Sequence, residues 1–206
     1  YFKKADAIME CDLSSIIFNG PENKLKETRF TQPALFTVSV ILGRLLVNRG
    51  SKPDFVAGHS LGEFSALTIA NSFDFETGLK LVQCRANAMY EAGKTLPGTM
   101  GAVIGLSPEK VQSICDDITK NGSVVSPANF NAPGQVVISG DINAVQLCMS
   151  NAKECGAKMT VELNLSGAFH SALMKPARHS LAEILNSIQI RDADFPVFLN
   201  VTAQPT

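Results

Sequence analysis

The chain reads as an α/β fold carrying an inserted ferredoxin-like (βαββαβ) subdomain, and three observations predict this. A short apolar segment, Asp54-Phe55-Val56-Ala57, runs into Gly58-His59-Ser60-Leu61-Gly62 and then into a helix-forming stretch from Glu63 to Ala70. A Gly-x-Ser-x-Gly pentapeptide between strand and helix makes a sharp turn whose small flanks let backbone crowd around the serine. Between Met100 and Leu163 the segments follow one another in the order β-α-β-β-α-β, the order of a ferredoxin-like unit. Finally, Phe195 to Val201 forms one more apolar, β-prone run late in the chain, as a larger α/β domain resuming after Leu165 requires.

Taken in order, Thr31-Gln32-Pro33 has the form of a helix start, a capping hydroxyl followed by proline in the first turn. That helix is expected to run through Leu35 to Val47 and stop at Gly50. After the elbow, Leu79, Val82, Ala86 and Met89 recur at spacings of three and four in a helix from about Glu76 to Ala92. Gly93 and Pro97-Gly98 end it and mark a subdomain boundary. The insertion then has a strand at Met100–Gly105, a helix from Ser107-Pro108 to Thr119, and strands at Ser123–Ser126 and Gln135–Ser139. The loop Asn129-Phe130-Asn131-Ala132-Pro133-Gly134 separates those two strands, and a helix from Asp141 to Cys155 and a strand at Lys158–Leu163 close the unit. Residues 1–96 and 164–206 are thus expected to form one discontinuous domain and residues 97–163 the smaller one.

With 206 residues, the chain can bury a large core. Apolar residues make up 45% and charged residues 18%, as in soluble enzymes. A net charge of -1 gives no global attraction to nucleic acid or anionic membrane. No apolar run approaches the roughly 20 residues that span a bilayer, so no transmembrane segment is expected, and no signal peptide is evident. Cys11, Cys84, Cys115, Cys148 and Cys155 are odd in number and scattered. They read as reduced thiols of a cytoplasmic protein rather than disulfides or zinc ligands. Three histidines without clustered partners argue against a metal site. The chain opens on Tyr1 rather than Met and ends at Thr206 without a closing helix, so both termini are expected to be truncated.

Ser60 is either an activated nucleophile or part of a tight structural turn. As a nucleophile it needs a base within hydrogen-bond reach. His59 adjoins it, but neighbouring side chains at a strand end point to opposite faces, so His59 is expected to pack or to satisfy a local hydrogen bond. His179 projects away from the apolar stripe of Leu173, Ala177, Leu181, Ile184 and Ile188 and is expected in solvent. His170 remains, in the small-residue loop Leu165–Ser171, either as the base or as an ordinary surface or core histidine. Arg85 falls at the edge of its helix's buried face. It is either a snorkelling or ion-paired arginine or a guanidinium lining a pocket, where its planar fork holds a carboxylate.

Five segments, in order, resemble the malonyl-CoA:acyl carrier protein transacylase family, the acyltransferases of fatty acid and polyketide synthesis. They are Thr31-Gln32-Pro33-Ala34-Leu35, Gly58 to Ala66, Arg85, Asn129 to Gln135, and Gly167-Ala168-Phe169-His170-Ser171. The resemblance implies an α/β-hydrolase-like core with a parallel sheet and the ferredoxin-like insertion. It implies that Ser60 is the acylated nucleophile, His170 its base, the Leu61 N–H an oxyanion donor and Arg85 the partner of a substrate carboxylate. Gln32, Asn129 and Asn131 match motifs near the family's site. Phe169, beside the base, is expected to narrow the pocket at the substrate α-carbon, favouring malonyl over methylmalonyl. The implied substrate is malonyl-CoA and the implied partner acyl carrier protein, with no cofactor and no metal. A monomer is expected, and the absence of a linker-like segment favours a stand-alone enzyme over a domain of a larger synthase. The family's N-terminal Gly-Gln-Gly-Ser-Gln segment, source of the second oxyanion donor, has no counterpart here, nor has the region whose carbonyl orients the histidine. The rival readings are a serine thioesterase or esterase, which would pass the acyl group to water, and a non-catalytic module that docks carrier proteins.

Overall fold

Four helices come before the first strand. They are α1 (Phe2–Met9), α2 (Leu13–Asn19), α3 (Glu22–Leu25) and α4 (Thr28–Asn48) in a computed structural model that describes residues 1–163, 165 and 167–206. Ser166 of the expected histidine loop and Asn164, where the larger domain is expected to resume, lie outside the described residues. Asp12 starts α2 by accepting the Ser15 N–H, which satisfies one of the donors every helix leaves orphaned at its first turn. α4 begins three residues before its expected start, with Glu27 at the N-cap and Pro33 inside the helix. The Thr31 hydroxyl does not cap; it points back to the Leu25 carbonyl at 2.5 Å and the Glu27 carbonyl at 3.0 Å, the second an i to i−4 contact that a helix already under way offers. Pro33 forfeits one helical hydrogen bond and is buried instead.

α4 also corrects the reading of the sequence that found no membrane-length segment. At 21 residues, with a mean hydropathy of 1.5 over its most apolar 18, it is long and apolar enough to cross a membrane by length and composition alone. Thr, Ser, Gln and Gly interrupt every apolar run in it, which hides the average. One third of that window is buried: Ala34, Phe36 and Val40 pack with Leu13 of α2 in a core completed by Leu61, Phe75, Leu79 and Val82. Leu35, Leu42, Leu45 and Leu46 of the same helix are exposed.

Beyond α4 come β1 (Val56–Ala57), α5 (Gly62–Ile69) and α6 (Phe75–Thr95). The antiparallel sheet follows, with β2 (Thr99–Ile104), α7 (Pro108–Thr119), β3 (Val125–Ala132), β4 (Gln135–Gly140), α8 (Ile142–Glu154) and β5 (Met159–Leu163). A short 3₁₀ turn at Ala172–Met174, α9 (Lys175–Leu185) and β6 (Val197–Phe198) complete the chain. Its contacts gather into two units, Tyr1–Asn87 with Ser180–Thr206, and Ala88–His179.

In the first unit β1 and β6 pair in parallel, Val56 opposite Val197 and Ala57 opposite Phe198. Both strands are shorter than the four- and seven-residue segments expected from the sequence, and Val197 packs on Ala66 of α5 and on Ala70 at its C-cap. The second unit contains a four-stranded antiparallel sheet in the order β3-β4-β2-β5. Its strands alternate: Val103, Val136 and Ile138 face α7 and α8, whose Val111, Ile114, Ile118, Val145 and Cys148 they meet. Met100, Ala102 and Val137 face the other way, the two-residue period of a sheet buried on both faces. β3 extends through Ala132, so Asn129 and Asn131, expected in a loop, lie on a strand. The hairpin turns tightly at Pro133-Gly134, and the register slips on either side of Asn129 and Phe130, bulges that let a strand continue through an unpromising sequence. All five cysteines are free. The hydrogen bond with the neighbouring Cys148 sulfur, 3.6 Å away, and then burial hold the Cys115 thiol well above its ordinary pKa.

Candidate active site

β1 ends where the elbow begins, and the elbow's geometry follows from two residues. A Cβ on Gly58 would fall 1.9 Å from the Gly62 carbonyl carbon and 2.5 Å from the Glu63 nitrogen, so no other residue fits without moving backbone. Ser60 takes φ of 52°, a left-handed conformation that costs a side-chain-bearing residue energy and that the surrounding structure must hold. The turn closes through Gly62 N–H to the His59 carbonyl (2.9 Å) and Phe64 N–H to the Leu61 carbonyl (3.0 Å), and α5 starts at Gly62 with Leu61 as its N-cap. The Leu61 N–H has no protein acceptor among the described residues. It stands at a helix N-terminus, where orphaned N–H groups and the helix dipole favour negative charge.

The elbow presents Ser60 to a buried cation. Arg85, on α6, donates from Nη2 to Ser60 Oγ at 2.9 Å and from Nη1 to the Gln32 Oε1 of α4. The guanidinium also lies 6.0 Å from the Phe64 ring centroid, at the outer reach of a cation–π contact. Arg85 is only 9% exposed, and no acid among the described residues forms an ion pair with it. Burial pulls its pKa down to about 10, partly offset by the Glu63 carboxylate at longer range. The group therefore stays charged at neutral pH, with two neutral hydrogen-bond partners and no ion-paired acid among the described residues.

Three of the residues read from the sequence, Ser60, Arg85 and Gln32, thus meet within one unit, with the Leu61 N–H on the same turn. His170, Phe169 and Asn129 belong to the second unit. His170 is exposed and, like Ser60, adopts a left-handed conformation, with φ of 61°. The following Ser171 fixes the turn, its Oγ donating to the Ala168 carbonyl (2.7 Å) and accepting the Leu173 N–H (3.2 Å). Phe169 packs on Met89, Ala92, Met174 and Ala177, and also on Met100 and Val137. Asn129 sits opposite Val137 in the sheet. His59 is exposed, and His179 is exposed as expected.

Two residues that sequence reasoning passed over touch the elbow directly. Asn200, two positions after β6, accepts the Ser60 N–H on Oδ1 (3.0 Å) and donates from Nδ2 to the Gly58 carbonyl (2.7 Å). The Glu63 carboxylate takes the Asn200 backbone N–H at 2.6 Å and bonds the Asn200 side-chain amide as well. The signal available was weak: a polar residue inside the apolar run from Phe195 to Val201, level with the elbow once the two strands are paired.

The sequence pattern of the family described as the acyl transferase domain matches residues 3–206. The chain belongs to that family. As an acyl transferase domain it is 44% identical over 202 residues to the malonyl CoA-acyl carrier protein transacylase of Bacillus subtilis (strain 168), covering 98% of this chain and 64% of that protein. The Staphylococcus aureus (strain COL) transacylase is 41% identical over 196 residues, covering 95% of this chain and 63% of its own length. Among solved structures, the Coxiella burnetii transacylase superposes with a TM-score of 0.94 at 40% identity, covering all of this chain and 65% of that one. A malonyl-transacylase in complex with a type II PKS acyl-carrier protein gives the same TM-score and identity, with 66% of that chain covered. The acyl transferase domain described here therefore spans about two thirds of the length of these relatives, with the same mixed α/β architecture.

Proposed function

We propose that the protein carrying this domain transfers a malonyl group from malonyl-CoA to the phosphopantetheine thiol of acyl carrier protein, through a malonyl-Ser60 intermediate. The observation that carries this reading is the buried Arg85 guanidinium, held by Gln32 at 2.9 Å from the Ser60 hydroxyl with no acid among the described residues paired to it. A buried cation lacking a counter-charge is costly, and a substrate carboxylate supplies that charge in bidentate geometry. The names of the relatives point to the same substrate and acceptor.

In the first half-reaction, His170 takes the Ser60 Oγ proton and Oγ attacks the thioester carbonyl. Negative charge gathers on the carbonyl oxygen, for which the Leu61 N–H is a suitable donor. The C–S bond breaks, and coenzyme A leaves as a thiol with the proton held by His170. The carrier thiol then gives its proton to His170, attacks the malonyl ester and releases Ser60 with its proton restored. Every atom is accounted for without a cofactor or metal. When malonyl binds, its carboxylate competes for Arg85 and loosens the guanidinium's hold on Oγ. Gln32 keeps the fork in place, while Phe169 and Asn129 are assigned to the acyl pocket. We also read residues 97–163 as a ferredoxin-like insertion in an α/β-hydrolase-like core of residues 1–96 and 164–206, a reading supported by the strand order of the antiparallel sheet.

The test is a competition between malonyl-CoA and acetyl-CoA in the full-length protein. Arg85→Ala is expected to cut malonyl transfer on the order of 10²–10³-fold, the cost of removing one partner of a buried charge pair, while acetyl transfer holds or rises. Unchanged relative selectivity would remove Arg85 from this role, and rapid release of malonate to water irrespective of carrier protein would favour a hydrolase.

A further inference from the structure

We infer that Asn200 and Glu63 form a positioning clamp that fixes the elbow and keeps Arg85 free of an acid partner. The inference rests on the reading of Ser60 as the nucleophile. β1 and β6 share only two paired positions, the last being Ala57 with Phe198, so the ladder has stopped by the time the chain reaches Ser60. The Asn200 side chain takes over where it stops. One face of its amide accepts the Ser60 N–H and the other donates to the Gly58 carbonyl, which is the pair of bonds a neighbouring peptide group would have made. Those bonds hold the peptide entering a residue whose φ of 52° is strained, and the next peptide along carries the Leu61 N–H.

An asparagine amide can flip, and here Glu63 prevents it. A carboxylate only accepts hydrogen bonds, so the Asn200 end that faces Glu63 must be the NH₂ group, and the oxygen is thereby aimed at Ser60. The Asn200 backbone N–H adds a second donor to the same Glu63 oxygen at 2.6 Å. With two donors Glu63 is anchored, even though its charge acts favourably on Arg85. Released, that carboxylate would be attracted to the guanidinium and would occupy the place assigned to the substrate's own carboxylate. The clamp thus acts on Ser60 through the backbone and on Arg85 by restraining a competing charge. Neither residue touches the reacting atoms.

The test uses full-length protein and two readouts: the rate at which a fluorophosphonate labels Ser60, and malonyl transfer measured as kcat and KM. Asn200→Asp turns a donor into an acceptor against both Gly58 and Glu63. It is expected to slow labelling about 10²-fold, the order of loss that follows an ångström-scale misplacement. The double variant Glu63→Gln with Asn200→Asp restores a donor–acceptor pair with its direction reversed, and should label roughly 10-fold faster than Asn200→Asp alone, a return worth one charge-assisted bond. Glu63→Gln alone should mainly lower kcat, with the melting temperature nearly unmoved. Labelling of Asn200→Asp at the wild-type rate, or a double variant no faster than the single one, overturns the clamp. If Asn200→Asp does not fold, Glu63→Gln decides, and unchanged labelling and kcat then overturn it. Because the probe needs no malonyl group, the clamp can fail or stand whether or not malonyl-CoA proves to be the substrate.

Discussion

Six consecutive residues of β2 pair with β4, whereas β1 and β6 meet over two. The second unit's sheet is therefore held by its own backbone ladder and by apolar residues packed on both faces. The elbow has almost no ladder, and its shape depends on single polar side chains drawn from far along the chain: Asn200, 140 positions from Ser60, and Arg85, 25 positions away. Each region is therefore vulnerable to a different kind of loss. Many small, non-directional contacts share the load in the sheet, so loss of one atom group is felt as stability. Around Ser60 a few directional bonds set one geometry, so loss of one is felt first in chemistry.

The comparison breaks most visibly at glycines. Gly58→Ala places a methyl group 1.9 Å from backbone that cannot retreat, and overpacking of this kind costs at least about 1–3 kcal/mol before any effect on Ser60. Loss of detectable fluorophosphonate labelling, with a clear fall in melting temperature, is expected. Gly62→Ala, four residues on, meets nothing within 4 Å and should melt within a degree or two of wild type, since alanine is the better helix former. In the sheet, the nearest equivalent is Gly101, whose added Cβ would meet the Met149 sulfur at 2.6 Å. That flexible chain end can move, so Gly101→Ala should be milder than Gly58→Ala. Equal losses at 58 and 101 would erase the distinction between the two regions. The next effect is one of stability alone. Ile138 is fully buried between β2, α7 and α8, and Ile138→Ala should lower unfolding free energy by about 2–5 kcal/mol. Labelling of Ser60 in the folded fraction should stay at the wild-type rate.

The same contrast governs how much could be read from residues alone. The elements of the second unit are legible because their signals are local: the apolar, β-prone runs at Met100–Ile104 and Gln135–Ser139, and the Ser107-Pro108 helix start. Asn129–Asn131 lie on a strand although Asn and Pro resist strand assignment, because pairing with β4 across the adjacent hairpin overrides the residues' own preference. Ser60, Arg85 and Gln32 were legible as residue types in recognisable motifs, and the serine's turn was visible in its two glycines. Asn200 and Glu63 were not, because their importance exists only after β1 and β6 are brought side by side. The first three helices carry weak periodicity over four to eight residues each, too short for a pattern to declare itself.

The smallest effect tests whether Arg85 acts as an unpaired charge. Its pKa lies at about 10, below the ordinary guanidinium value, because burial disfavours the charged form. Below that pH, Arg85 is charged in both the folded and the unfolded chain, and its burial weakens the fold by a constant amount. As pH rises through about 10 the folded chain gives up the proton first, and that penalty is progressively shed. Hold on a substrate carboxylate follows the opposite course, strong while the guanidinium is charged and lost as it neutralises. The ratio of kcat/KM for malonyl-CoA to that for acetyl-CoA reports the free enzyme. It should be flat from neutral pH upward and fall only near pH 10. Under saturating malonyl-CoA the bound carboxylate raises the Arg85 pKa again, so the fall in kcat should come at higher pH than the fall in kcat/KM. A ratio that already declines between about pH 7 and 8 would assign the preference to a histidine-like group instead. The elbow's cation would then be a packing feature, much as the apolar residues of the sheet are.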